Sequence, residues 1–118
     1  MKKEDERLQI KTQLRQLADE QTENRHAFAR YEQDEQTLFE IQQKNRRLFD
    51  NLFYSWNKDR QLLNQLEQQH NELFDHQQKL REELENKKDC ILQENKRLNN
   101  VEDNLYRDLR SLEKEGKS

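Results

Sequence analysis

Two pairs of residues have the spacing that could hold a metal: Glu23 with His26, and Glu67 with His70. On a helix this three-residue separation sets both side chains on one face, and di-iron four-helix bundles take ligands from such pairs. The apolar phase of the chain keeps the two pairs apart. His70 falls on the apolar seam and His26 on the outer face. If the chain folds back at its middle, His26 lies opposite Asp89 and His70 opposite Asn45, roughly 30 Å away by helix rise. No metal ligand is therefore assigned, and Asn45 with His70 is read as a hydrogen-bonded polar layer that sets register. Cys90 is the only cysteine. It has no Cys-x-x-Cys partner and only Lys87 and Lys88 as charged activating neighbours, so it reads as a surface thiol. One glycine cannot build a phosphate-binding loop. No Ser/His/Asp order suggests a nucleophile, and a thin coiled coil offers no pocket to hold one. The expectation is a protein without catalytic residues or a cofactor.

The elements that carry these residues follow from composition. Of 118 residues, 40% are charged and 30% hydrophobic, with one glycine and no proline. Such polarity permits either disorder or long helices with a thin apolar seam. Disorder usually brings Pro, Gly and Ser; here Glu, Gln, Lys, Arg and Leu dominate, which are good helix formers. A compact globule is excluded, because too little apolar surface is available to offset backbone ordering at roughly 1–2 kcal/mol per residue. The net charge is −3, and basic residues are scattered among acidic ones. The densest basic spot, Lys44, Arg46 and Arg47, has acidic neighbours, whereas a nucleic-acid binder shows an uninterrupted basic face. The first residues lack an apolar run of signal-peptide type, and no apolar stretch is long enough to cross a bilayer. With no cysteine pair, a cytoplasmic location is expected, and membrane insertion is not.

A seven-residue repeat runs from Ile10. Leu14, Gln21, Phe28, Glu35, Gln42, Phe49 and Trp56 form one series, and Ile10, Leu17, Asn24, Tyr31, Leu38, Asn45 and Leu52 its partner. The second half continues with Leu63, His70, Gln77, Leu84, Ile91, Leu98, Leu105 and Leu112, beside Leu66, Leu73, Leu80, Lys87, Glu94, Val101 and Asp108. Alternating steps of three and four place each pair of series on one helical stripe, and a strict period of seven implies left-handed coiled-coil packing. Glu83–Lys87 and Asp103–Arg107 add acid-before-base pairs at four-residue spacing. The first seven residues are charged and expected to fray.

The phase does not break at the centre. It permits one rod of about 110 residues, roughly 165 Å long, or two antiparallel helices in a coiled-coil hairpin. Three features favour the all-α hairpin, with helices over about 7–55 and 60–114, as one domain. Ser55, Asn57 and Asp59 leave a helix cheaply, and Asp59 can N-cap the second helix. The turn is thus assigned to Trp56, Asn57, Lys58 and Asp59, with Trp56 packed beneath it. Antiparallel register also matches apolar layers: Leu52 with Leu63, Phe49 with Leu66, Tyr31 with Leu84, Leu17 with Leu98, Leu14 with Val101 and Ile10 with Leu105. Finally, large apolar residues beside the seam gather in the central half of the chain. Phe39, Ile41, Leu48, Phe53, Leu62 and Phe74, together with Tyr54, are the candidate partner-binding residues; Phe49 and Trp56 are on the seam and read as structural. In the middle of each arm Gln21 would face Glu94, Phe28 would face Lys87, and Glu35 would face Leu80. Such layers weaken a two-helix structure, so a partner helix or hairpin completing a three- or four-helix assembly is expected.

The central stretch adds a resemblance. A helical hairpin of roughly 100 residues with a central Trp is similar to the WXG-type, Esx-like small proteins of type VII secretion, where Trp-x-Gly makes the turn. Here Ser55-Trp56-Asn57-Lys58-Asp59-Arg60 corresponds, and Lys58 stands where the glycine would be. Arg47-Leu48-Phe49-Asp50 followed by Ser55-Trp56-x-x-Asp59-Arg60 more closely resembles the small helical Lap proteins associated with LXG toxins of Gram-positive bacteria. The resemblance implies a targeting factor or chaperone. It would pair with the helical N-terminal domain of an LXG toxin, beside a second small helical protein, in a hetero-oligomer exported by the type VIIb machinery. Export signals of that group are aromatic-x-x-x-acid patterns near a helix end. Tyr31 to Glu35 is the Tyr-x-x-x-Glu match, with Phe28 to Glu32 a looser one, and both lie inside the first arm. The resemblance therefore implies co-export on a partner's signal. The alternative expectation is a structural coiled-coil homodimer acting as scaffold or spacer.

Overall fold

The computed structural model describes residues 2–116. Two helices account for nearly all of them: α1, Lys2–Ser55, and α2, Arg60–Gly116. They pack against each other as an antiparallel helical hairpin. The uninterrupted rod that the seven-residue phase also permits is not formed. The first turn of α1 is helical from Lys2 rather than frayed. Glu4 and Asp5 lie in that turn, where negative charge complements the helix dipole, and Lys3 Nζ reaches the Glu115 carbonyl at 3.5 Å.

The turn is built by local chemistry. The Trp56 amide still donates to the Leu52 carbonyl at 2.9 Å, as the last helical bond of α1. The Asp59 amide then donates to the Trp56 carbonyl at 3.2 Å, closing a four-residue turn over Asn57 and Lys58. Asp59 Oδ1 accepts from the Gln61 and Leu62 amides at 3.1 and 3.2 Å, and the Asp59 carbonyl accepts from Leu63 at 3.0 Å. This is an N-cap that satisfies two of the orphan donors of α2. No non-glycine residue among those described has a positive φ. A turn of this type needs no left-handed residue, which is why Lys58 is accommodated without a glycine.

Contacts divide the chain into two compact units, each with a segment of both helices: Met1–Ala29 with Asp89–Ser118, and Arg30–Lys88. In the first, Leu17 and Leu98 are buried, and Leu98 is only 1% exposed. Ile10, Leu14, Val101, Leu105 and Leu112 are half-buried around them. In the second, Tyr31, Phe49 and Leu66 are buried, with Leu38, Leu52, Leu63, Leu73 and Leu84 half-buried. These are the residues of the apolar seam, and the register expected from sequence is seen directly where Asn24 Nδ2 donates to the Ile91 carbonyl at 3.1 Å.

Long side chains depart from that register in one consistent direction. Gln21 Nε2 donates to Glu102 Oε2 at 2.6 Å, not to Glu94. Arg81 Nη2 donates to Gln42 Oε1 at 2.8 Å, although Leu73 is the counterpart of Gln42 in the register. The His70 ring meets Phe49, whose counterpart is Leu66. Helical side chains lean toward their own N-terminus. In an antiparallel pair the two leans bring together residues one turn (rings) or two turns (long chains) beyond direct opposition. Gln21 and Gln42 thereby find polar partners across the hairpin. Glu94, released from Gln21, binds Arg97 at 2.6 Å, and Arg97 also reaches Glu20 at 3.6 Å. The hydrogen bond from Arg97 holds the Glu94 carboxyl below the ordinary range, and Glu94 raises Arg97 in return. Glu83–Lys87 and Asp103–Arg107 make no ion pair among the described residues, whereas Arg97 pairs with Glu94 and Glu20.

Candidate functional site

At the layer where Glu35 was set against Leu80, both residues are exposed. A charged side chain stays hydrated more cheaply than it enters a seam, and a leucine without its apolar counterpart has nothing to pack on. Beside this layer the hairpin face opens. A recess of about 410 Å³ is lined from α1 by Phe39, Gln42, Asn45 and Arg46, and from α2 by His70, Leu73, Phe74, Gln77 and Arg81. A second recess of about 190 Å³ shares Phe39, Gln42 and Arg81 and adds Tyr31, Glu35, Leu84 and Glu85. Both lie within the Arg30–Lys88 unit. The hairpin was expected to offer no pocket; it has this recess, which is open to solvent.

Polar side chains make up most of its lining, and two exposed aromatic rings flank it. Phe39 is 54% exposed and Phe74 53%. Arg46 and Arg81 line the larger recess, whose lining holds no carboxylate; Arg81 also lines the second recess with Glu35 and Glu85, and neither arginine forms an ion pair among the described residues. The Gln77 Nε2 donor is buried and has no acceptor. At the other end Tyr31 is buried and its hydroxyl hydrogen-bonds Glu35. Burial first, then that bond and the nearby charges of Glu35, Glu85 and Glu32, raise its pKa above the ordinary tyrosine value. Tyr31 and Glu35 therefore act as a packed pair within the hairpin.

The polar layer expected of Asn45 and His70 is not a hydrogen bond. Both line the larger recess, but no hydrogen bond joins them. The His70 ring instead stands edge-on to Phe49, with centroids 4.9 Å apart, and to Phe53 at 6.2 Å. Phe53 also contacts Phe49 at 6.3 Å. This aromatic trio was not legible as a unit, because it depends on the N-terminal lean of side chains from both helices.

The candidate partner-binding residues are not one patch. Phe53 and Leu62 are half-buried in the hairpin, while Phe39, Ile41, Leu48, Tyr54 and Phe74 are exposed. Ile41 and Leu48 lie about 160–180° around α1 from Phe39 at 100° per residue, so they face away from the recess that Phe39 and Phe74 flank. Tyr54 is 83% exposed beside the turn. Trp56, expected beneath the turn, is 41% exposed, and Asn57, Lys58 and Asp59 are exposed with it. The i to i+3 bond makes the turn too tight for an indole to fold under it. His26 and Cys90 are exposed. Among the described residues no group of three or more His, Cys, Asp and Glu side chains is placed to hold a metal ion. No helix among them is long and apolar enough to cross a membrane.

The fold and face together define a two-helix hairpin with an open, amphipathic recess in its turn-bearing unit. The chain belongs to the DUF3958 family, described as proteins of unknown function, whose family model matches residues 6–112. Comparison with curated proteins and with solved structures found no match.

Proposed function

We propose that this protein is a non-enzymatic targeting factor or chaperone. It binds the helical N-terminal domain of an LXG-type toxin, together with a second small helical protein, and supports their export by a type VII secretion system. The observation that carries the reading is the exposure of Phe39, Ile41, Leu48, Tyr54 and Phe74 within one unit of a hairpin that has little core of its own. Exposed apolar side chains on two sides of a thin hairpin mark interaction surfaces, and partner helices laid against them would complete a bundle. The Arg47-Leu48-Phe49-Asp50 and Ser55-Trp56-x-x-Asp59-Arg60 resemblance supplies the class of partner. Burial of Tyr31, with its hydroxyl bound to Glu35, supports a chain carried out on a partner's signal.

The test is co-expression with the N-terminal domain of an LXG toxin encoded beside this gene, followed by affinity purification and sedimentation. A stoichiometric complex in which both chains melt at a higher temperature is the expected result. A stably folded hairpin that forms no such complex, and sediments instead as a homodimer, would overturn the reading in favour of a scaffold.

A further inference from the structure

We propose that the recess between Phe39 and Phe74 takes one amphipathic helix of a partner protein, with carboxylates facing Arg46 and Arg81 and cationic side chains facing Glu35 and Glu85. This deepens, and rests on, the reading of the protein as a helix-binding factor.

The charge pattern identifies the occupant. The chain as a whole has an acidic excess, with 25 Asp and Glu against 22 Lys and Arg. Yet the larger recess is lined by two arginines and no carboxylate, and neither arginine is in an ion pair among the described residues. Arg81 is held in place by its bond to Gln42 Oε1, and a guanidinium has further donors free for a second acceptor. Guanidinium groups are less strongly hydrated than ammonium groups, which suits them to ion pairs at interfaces. The adjoining recess, which Arg81 also lines, adds the carboxylates Glu35 and Glu85. Arg46 and Glu35 are eleven residues apart on α1, about 16 Å by rise and only about 20° apart around the axis. An incoming helix with an acid and a base eleven positions apart presents both on one face by the same arithmetic. Leucines at three- and four-residue steps between them would cover Phe39, Leu73 and Phe74.

A second copy of this chain fits less well. Phe39, Gln42 and Arg81 line both recesses, so a two-fold axis that brought the cationic end of one copy onto the acidic end of another would pass near them. It would set Arg81 against its own copy. Like charges directly opposed across an interface disfavour the pairing.

The probe is a fluorescein-labelled 22-residue helical peptide with a leucine stripe, two glutamates on one turn near one end and two lysines centred eleven residues further on along the same face. A control peptide has lysines at both ends. Fluorescence anisotropy with the full chain is expected to show the first peptide binding roughly five- to tenfold tighter than the second, as two solvent-rimmed ion pairs allow. Phe39→Glu should abolish binding of both peptides. Arg46→Glu with Arg81→Glu should remove or invert the preference. All three positions are exposed, so circular dichroism should report unchanged helicity in the variants. Equal affinity for the two peptides, or binding indifferent to Phe39→Glu, would overturn the assignment. So would sedimentation of the chain as a dimer that Arg46→Glu with Arg81→Glu dissociates. A toxin-domain complex that survives all three substitutions would overturn this site alone. Peptide binding without any toxin-domain complex would leave the site standing and overturn the proposed function.

Discussion

Asp59 decides how the chain reverses, and its contribution can be worked out from its bonds. Replacing Asp59 by alanine removes the Oδ1 acceptor that takes the Gln61 and Leu62 amides at 3.1 and 3.2 Å. The Asp59 carbonyl bond to Leu63 remains, so the helix itself can persist. Water reaches the exposed site and partly replaces the lost acceptor, which limits the cost. Loss of an N-cap costs about 1 kcal/mol, within a range of roughly 0.5–2. In a domain of this size that lowers the melting temperature by about 4–6 °C. Asp59→Asn separates the acceptor from its charge. It keeps the cap and loses only the interaction with the helix dipole, a few tenths of a kcal/mol at an exposed site. Urea unfolding followed at 222 nm should rank the proteins as wild type, then Asp59→Asn, then Asp59→Ala, with the larger gap before alanine. Asn57→Ala is the control, since the Asn57 side chain makes no hydrogen bond among the described residues. If Asp59→Ala were as stable as wild type, or if asparagine were as damaging as alanine, the cap would not be what starts α2.

Leu98→Ala should cost about 2–4 kcal/mol, because Leu98 is the most completely buried side chain and its removal leaves a cavity in the seam; a thermal melt will read it, and a change below about 1 kcal/mol would mean the seam there repacks freely. Tyr31 has a raised pKa in the folded chain, so the stability it contributes is complete below the unfolded value of 10.0 and is lost as pH rises through the folded value. Titration at 295 nm should therefore show one of the three tyrosines ionising late, and Tyr31→Phe should remove that late phase while flattening the alkaline loss of stability.

The two helices and the place of the turn were legible from local chemistry. With one glycine and no proline, the cluster of Ser55, Asn57 and Asp59 near the midpoint is where the helix is left most cheaply. Asp59 is the one residue there that both interrupts the apolar series and carries an acceptor short enough to cap. Such determinants act within three or four residues, so spacing alone reveals them. The seam residues Leu17, Phe49, Leu66 and Leu98 were legible for a related reason: a period of seven fixes which side of a helix is covered.

What the partner helix does to each side chain was decided only in three dimensions. His70 rests on Phe49 and Phe53 rather than bonding Asn45, and Gln21 reaches Glu102 rather than facing Glu94. Direct opposition along two antiparallel helices is a statement about Cα positions. Side chains lean toward their own N-termini, and in an antiparallel pair the two leans add, so the contacts move one or two turns away. The open recess beside Glu35 and Leu80 has the same origin. Glu35 and Leu80, mismatched in the repeat, are both exposed, and Phe39, Phe74, Arg46 and Arg81 come from both helices to line a surface that only the folded hairpin assembles.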